Sequence, residues 1–141
     1  MEAILKQLIR SPACSFEEAE RAAFLCGYLT ERGVKAVQMR NNIAAVCSGF
    51  DPGKPTLMLN SHIDTVSAPA SYTADPFGAQ DKDGAIYGLG SNDAGASVVC
   101  LLHTFLHFDR TGTGRLPVNL LLLLTAEEER SGPGGMPNGS E

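Results

Sequence analysis

The stretch VNLLLLLTAEEE, residues 118–129, decides the fold. An apolar run this short, broken only by Asn119, predicts a central β-strand buried on both faces. It is much too short to span a bilayer. The run stops at three adjacent carboxylates, Glu127, Glu128 and Glu129. Neighbouring like charges disfavour one another unless a cation neutralises them, although a charged cap on a strand end is the plainer alternative. Two consecutive glutamates at a metal can divide the work, one as ligand and one as general base.

Working outward, a strand is expected from Thr56 to Asn60, running straight into Ser61-His62-Ile63-Asp64. Further upstream, Val34 to Met39 and Ile43 to Cys47 read as strands joined by the turn-prone Asn41-Asn42. Glu2 to Ile9 suits a short helix that Ser11-Pro12 stops. Ser15-Phe16-Glu17-Glu18 matches a capping box, with Ser15 bonding the third helical N–H and Glu18 reaching back. The helix it opens runs to Gly33. Residues 65–77 lack a period and read as a loop, and Asp83-Gly84 reads as a hairpin turn. A helix from about Ala94 to Asp109 turns Val98, Val99, Leu102, Phe105 and Leu106 inward. Its outward stripe is Ala96, Cys100, His103, His107 and Arg110, and Thr111 to Gly114 breaks it. This order predicts an α/β fold, a mixed sheet flanked by helices.

The acidic and imidazole groups fall where strands end, and in open α/β sheets ligands collect there. His62 and Asp64, two residues apart, leave a strand pointing the same way. An imidazole can then bind a metal while the carboxylate orients it. Taken alone, a loop histidine hydrogen-bonded to an aspartate explains the pair as well. Gly88-Leu89-Gly90-Ser91-Asn92-Asp93-Ala94-Gly95 resembles a dinucleotide-binding loop. Asp93 stands where that pattern needs its third glycine, and a carboxylate at a helix start repels a pyrophosphate. The same carboxylate suits a cation. His103 and His107 are spaced to share a helix face, but they lie away from Asp93 and lack the intervening glutamate of zinc-binding helices.

Together, LNSHIDTV, YGLGSNDAGAS and LLLLTAEEERSG resemble the acetylornithine deacetylase, succinyl-diaminopimelate desuccinylase and carboxypeptidase G family of metallopeptidases. The similarity runs from about Ser15 to Gly135, and SNDAGAS with the third glutamate is most similar to the acetylornithine deacetylases. The resemblance implies two Zn2+ per site, with Co2+ able to substitute. It makes His62 and Glu129 zinc ligands, Asp93 the bridge between the ions, Asp64 the partner of His62 and Glu128 the general base. Glu127 takes the first acidic slot, and a one-place shift among the three glutamates stays open. The implied reaction is hydrolysis of an N-acyl amino acid, N-acetylornithine first, with a desuccinylase or dipeptidase as the alternative. The family also implies further ligands, and a lid domain through which the enzyme forms a homodimer.

Two ions sharing one bridging carboxylate need about five protein ligands, and three are identified here. The sequence is therefore expected to hold the N-terminal part of a catalytic domain over residues 1–130, without the lid and inactive alone. It ends in a Gly/Pro-rich tail, residues 131–141, expected to be disordered or the mark of a truncated reading. The net charge of −5 disfavours nucleic acid and anionic membranes as partners. Cys14, Cys26, Cys47 and Cys100 show no paired spacing, which suits free thiols in a cytoplasmic protein.

Overall fold

The computed structural model describes residues 1–110, 112 and 116–135. The elements are α1 (Glu2–Arg10), α2 (Ala19–Thr30), β1 (Ala36–Met39), β2 (Asn42–Val46), β3 (Thr56–His62), β4 (Gln80–Lys82) and β5 (Ala85–Tyr87). An irregular turn (Ser91–Ala96), α3 (Ser97–Arg110), β6 (Asn119–Thr125) and a 3₁₀ turn (Glu128–Arg130) follow. The main sheet has the order β1-β2-β6-β3, and β4-β5 form a separate hairpin. β6 lies antiparallel to β2 and parallel to β3, so the sheet is mixed. The parallel pair needs a crossover, which carries α3.

The leucine run splits by pleat. Leu120, Leu122 and Leu124 are buried, with Ile43 and Ala45 beside them, against Leu8, Leu25, Leu29, Leu102 and Phe105 of the three helices. Contrary to the expectation of a strand buried on both faces, Leu121 and Leu123 face the other way and are only half-buried, because no layer packs on that side among the described residues. Val46 and Met58, which pair with Leu121, are exposed, as are Val37 and Met39 of β1. The three helices thus line one face of the sheet. Among the described residues no helix is long and apolar enough to cross a membrane.

Most expected elements are present, with three instructive differences. First, α2 begins at Ala19 and no side chain caps it. The Ser15 hydroxyl instead donates to Asp64 Oδ2 at 2.7 Å. Glu18 does reach back, accepting from the Phe16 N–H at 2.8 Å, but its carboxylate is fully buried rather than at a solvated helix end. Second, the β1–β2 turn is Arg40-Asn41, not Asn41-Asn42, because Asn42 already pairs with Met39. The Asn42 amide is engaged elsewhere, accepting from the Ala126 N–H at 2.9 Å and donating to the Gly134 carbonyl at 2.6 Å. Third, the helix expected from Ala94 is regular only from Ser97, since Asp93 and Ala94 have non-helical backbone angles.

Asp83-Gly84 forms the expected hairpin turn, with φ of 53° and 78°. Of the tail, Gly132 and Gly134 donate their N–H groups to the Glu127 carbonyl and carboxylate. Residues 136–141 lie outside the described residues, as do Thr111, Thr113 and Gly114 of the expected helix breaker.

Because Leu122 is 1% exposed on the helix-packed face, Leu122→Ala is expected to cost about 2–5 kcal/mol of stability. Chemical denaturation measures it. Leu123→Ala, on the opposite face, is expected to cost clearly less; equal losses would contradict the one-sided core.

Candidate metal centre

His62 is the last residue of β3 and stands beside Thr125, the last of the parallel strand β6. The chains leaving these two strands bring Asp64 and the three glutamates to the same sheet edge. Between His62 and Asp64, the Ile63 carbonyl accepts from the buried Arg21 guanidinium at 2.6 Å. Arg21 also donates to the Leu8 and Ser11 carbonyls, tying α1 and α2 to this edge. Burial lowers its pKa to about 10, opposed by the nearby Asp64 carboxylate.

Asp64 is fully buried, and its oxygens are all engaged. Oδ1 accepts the Glu128 N–H at 3.1 Å, while Oδ2 accepts the Glu129 N–H at 3.1 Å and the Ser15 hydroxyl. Burial pushes its pKa upward, but hydrogen bonds from His62, Ser15 and the two backbone N–H groups prevail and hold it at about 2. The side chain is thus a fixed anion behind the imidazole. His62 Nδ1 lies 3.2 Å from the Asp64 carbonyl oxygen and 3.5 Å from Oδ1. With Nδ1–H donating there, Nε2 is left to face outward. Nε2 is 3.0 Å from Asp93 Oδ1 and 3.9 Å from Glu128 Oε2.

Asp93 reaches this point from the irregular turn. Gly90, at φ of 72°, starts the turn, and its carbonyl accepts the Gly95 N–H at 2.9 Å. A Cβ at Gly95 would fall 2.5 Å from that carbonyl oxygen, so only glycine fits. The Asp93–Ala94 peptide is cis. The Asp93 side chain is 75% exposed, open to a ligand.

One ligand atom each from His62, Glu128 and Glu129 lies within 4.8 Å of the others. Two donors on one zinc ion, each about 2.0–2.2 Å from it, are at most about 4.4 Å apart, so small side-chain adjustments suffice. Burial and the neighbouring Asp93 raise the Glu129 pKa, while His62 opposes them. An imidazole nitrogen among crowded carboxylates is a donor set suited to a divalent cation. Glu127 is not in the group. Its carboxylate accepts the Gly134 N–H at 2.7 Å, and its own N–H donates to Glu18 Oε1 at 3.1 Å. His103 and His107 lie elsewhere, on α3 beside Tyr28 and Arg32. An open cleft of about 590 Å³ borders the cluster, lined by Asn60, His62, Asp93, Ser97, Thr125 and Glu128 among others. Sequence reasoning missed Ser15, Glu18, Asn42 and Arg21 as contributors to this edge. The S-x-x-E spacing was visible, but it has the same appearance as a helix cap.

An acid–imidazole cluster at the edge of a mixed α/β sheet is a donor set of the kind metallohydrolases use, and the comparisons with known proteins give the family. Residues 58–141, more than half of the chain, match the sequence profile of Peptidase family M20/M25/M40, and the chain belongs to that family. It is 30% identical over 129 residues to a succinyl-diaminopimelate desuccinylase of Legionella pneumophila (strain Corby), covering 89% of this chain and 34% of that protein. The enzyme of the same name from Xanthomonas oryzae pv. oryzae (strain PXO99A) is 32% identical over 128 residues, covering 86% and 33%. The chain therefore spans about a third of the length of these curated relatives. Human carnosine dipeptidase 1 superposes with a TM-score of 0.74 at 22% identity, over 92% of this chain and 32% of that one. A metallo-carboxypeptidase from Sulfolobus solfataricus gives 0.71 at 23%, over 89% and 30%. These two share the fold.

The His62 pKa is raised to about 9, chiefly by its hydrogen bond with Asp64 and against the effect of burial. At pH 7 the metal-free imidazole is therefore protonated, and a cation binding at Nε2 must displace that proton. Cation affinity is expected to rise with pH until about pH 9. Binding at pH 7 should release nearly one proton from His62, against about a quarter for an unperturbed histidine. Calorimetry in buffers of different ionisation enthalpy measures the release: a value of about a quarter would overturn the raised pKa, and a value near zero would remove Nε2 from the ligand set.

Proposed function

We propose that this chain forms one wall of a cation-dependent amidohydrolase site that cleaves the amide bond of an N-acylated amino acid. One observation carries the reading: His62 Nε2 converges with the Asp93, Glu128 and Glu129 carboxylates at a single strand edge. His62, Asp93 and Glu129 would hold Zn2+ or Co2+, with Asp93 shared between two ions, and Asp64 would fix the His62 ring. The remaining donors come from elsewhere in the assembled enzyme, which dimerises through a lid domain in this reading. A bound ion of this kind supplies Lewis-acid polarisation of the scissile carbonyl and makes water a better acid.

The chain's own residues then manage the proton. The Glu128 side chain is 60% exposed beside the cleft, with Oε2 3.9 Å from His62 Nε2. It accepts a proton from the attacking water and delivers it to the amide nitrogen as the C–N bond breaks. A carboxylate and a free amine leave. Asp64 takes no proton, since its pKa near about 2 keeps it ionised throughout the working range.

The names of the relatives support a succinyl group on diaminopimelate as the first substrate to test. The resemblance of the SNDAGAS segment to acetylornithine deacetylases supports N-acetylornithine as the second. Both are assayed by amine release with full-length, metal-replete enzyme. Glu128→Gln is expected to lower kcat by about 10²–10⁴-fold while the bound-metal content stays unchanged. Undiminished turnover would remove Glu128 as the base, and no turnover on either substrate would overturn the substrate class.

A further inference from the structure

The three glutamates are held by their backbone as well as presented by it. Their consecutive N–H groups all donate to buried carboxylates: Glu127 to Glu18 Oε1, Glu128 to Asp64 Oδ1 and Glu129 to Asp64 Oδ2, each at 3.1 Å. Both acceptors are fully buried. Both are also fixed from residues 15–18, a segment outside the part of the chain that matches the family profile. Ser15 donates its hydroxyl to Asp64 Oδ2 at 2.7 Å. Glu18 is steadied by the Phe16 N–H at 2.8 Å and the Asn41 amide at 2.9 Å.

The backbone carries the mark of this arrangement. Phe16 and Glu127 have φ of 78° and 61°, left-handed values that bulky side chains rarely adopt. Such a conformation is unfavourable in itself and persists only where the surroundings fix it. Here the two strained residues lie on either side of the Glu18 carboxylate, each donating its N–H to Oε1. Glu127 turns its side chain away toward Gly134, so that Glu128 and Glu129 face the cleft edge beside His62.

We propose that Ser15 and Glu18 are positioning residues of the metal centre, acting through Asp64 and the Glu127 backbone to set where Glu128 and Glu129 present their carboxylates. Neither side chain touches the ion or the substrate. The inference rests on the metal reading above and adds to it the residues that aim the donors. Ser15 acts on Asp64, which serves the ring of His62 and the backbone of Glu128 and Glu129 together. Loss of its hydroxyl removes one hydrogen bond from a buried carboxylate and loosens both at once.

The test uses Ser15→Ala, Ser15→Thr and Glu18→Gln with two readouts. In the metal-free protein, amide hydrogen exchange reports the backbone contacts directly. Ser15→Ala is expected to speed exchange at Glu128 and Glu129, and Glu18→Gln at Glu127, while Leu122 and Leu124 stay protected. Co2+ titration followed by d–d absorption reports the donors. Ser15→Ala is expected to weaken affinity by about 10–100-fold and to alter the spectrum, and Ser15→Thr to restore both. A stabilising role alone would lower the melting temperature and leave Co2+ affinity and spectrum unchanged, which would overturn the proposal. Glu18→Gln is the more disruptive change, and Ser15→Ala decides the matter if that variant does not fold. Wild-type protein that takes up no Co2+ would instead count against the metal reading. Exchange at the three amides would still decide whether Ser15 and Glu18 hold them.

Discussion

The Asp64 carboxylate is the constraint around which the strand edge is organised. A fully buried anion costs several kcal/mol unless its lone pairs are used. Here the imidazole, a hydroxyl and two consecutive backbone N–H groups meet that need. Those partners come from three separate parts of the chain. Satisfying one side chain therefore fixes the rotation of His62, the position of the 15–18 segment and the course of the chain after β6. Arg21 works from the other side, holding the Ile63 carbonyl between His62 and Asp64. The convergence of the imidazole and carboxylate donors at this edge is in this sense a by-product of burying a charge properly.

The same arrangement divides three chemically identical side chains into different roles. Glu127 turns inward, its carboxylate enclosed by glycines where a Cβ at Gly132 or Gly134 would collide with it. Glu128 stays open at the cleft, and Glu129 is partly covered. Their environments, not their identities, separate a structural acid from two that can serve an ion.

Much of this was legible in the sequence. The leucine run gave the central strand, and the period of residues 98–106 gave the inward face of α3. The strand ends marked His62, Asp64 and the three glutamates as able to converge, while the choice of Asp93, Glu128 and Glu129 came from the family resemblance, with a one-place shift among the glutamates left open. What stayed hidden shares one physical character: long-range use of a side chain whose local pattern has another meaning. Ser15 and Glu18 have the spacing of a helix cap, and Asn42 that of a turn residue, yet each spends its polar groups across the fold. Local spacing carries no information on a partner 49 or 109 residues away. The exposed second face of the sheet was equally hidden, since an unbroken apolar run gives both faces of a strand the same composition.

The place of β6 also governs how the chain acquires its shape. The last strand among the described residues occupies an interior slot, between β2 and β3, which do not pair with each other. Until residue 125 has been synthesised, the β1–β2 hairpin and β3 each present an unpaired edge, and no sheet joins them. Folding must therefore wait for its most apolar segment to arrive and insert, with one side parallel and the other antiparallel. Such late, non-local pairing is slow and leaves hydrophobic edges open in the meantime. The interval just before the leucines emerge is therefore one in which these strand edges stand uncovered.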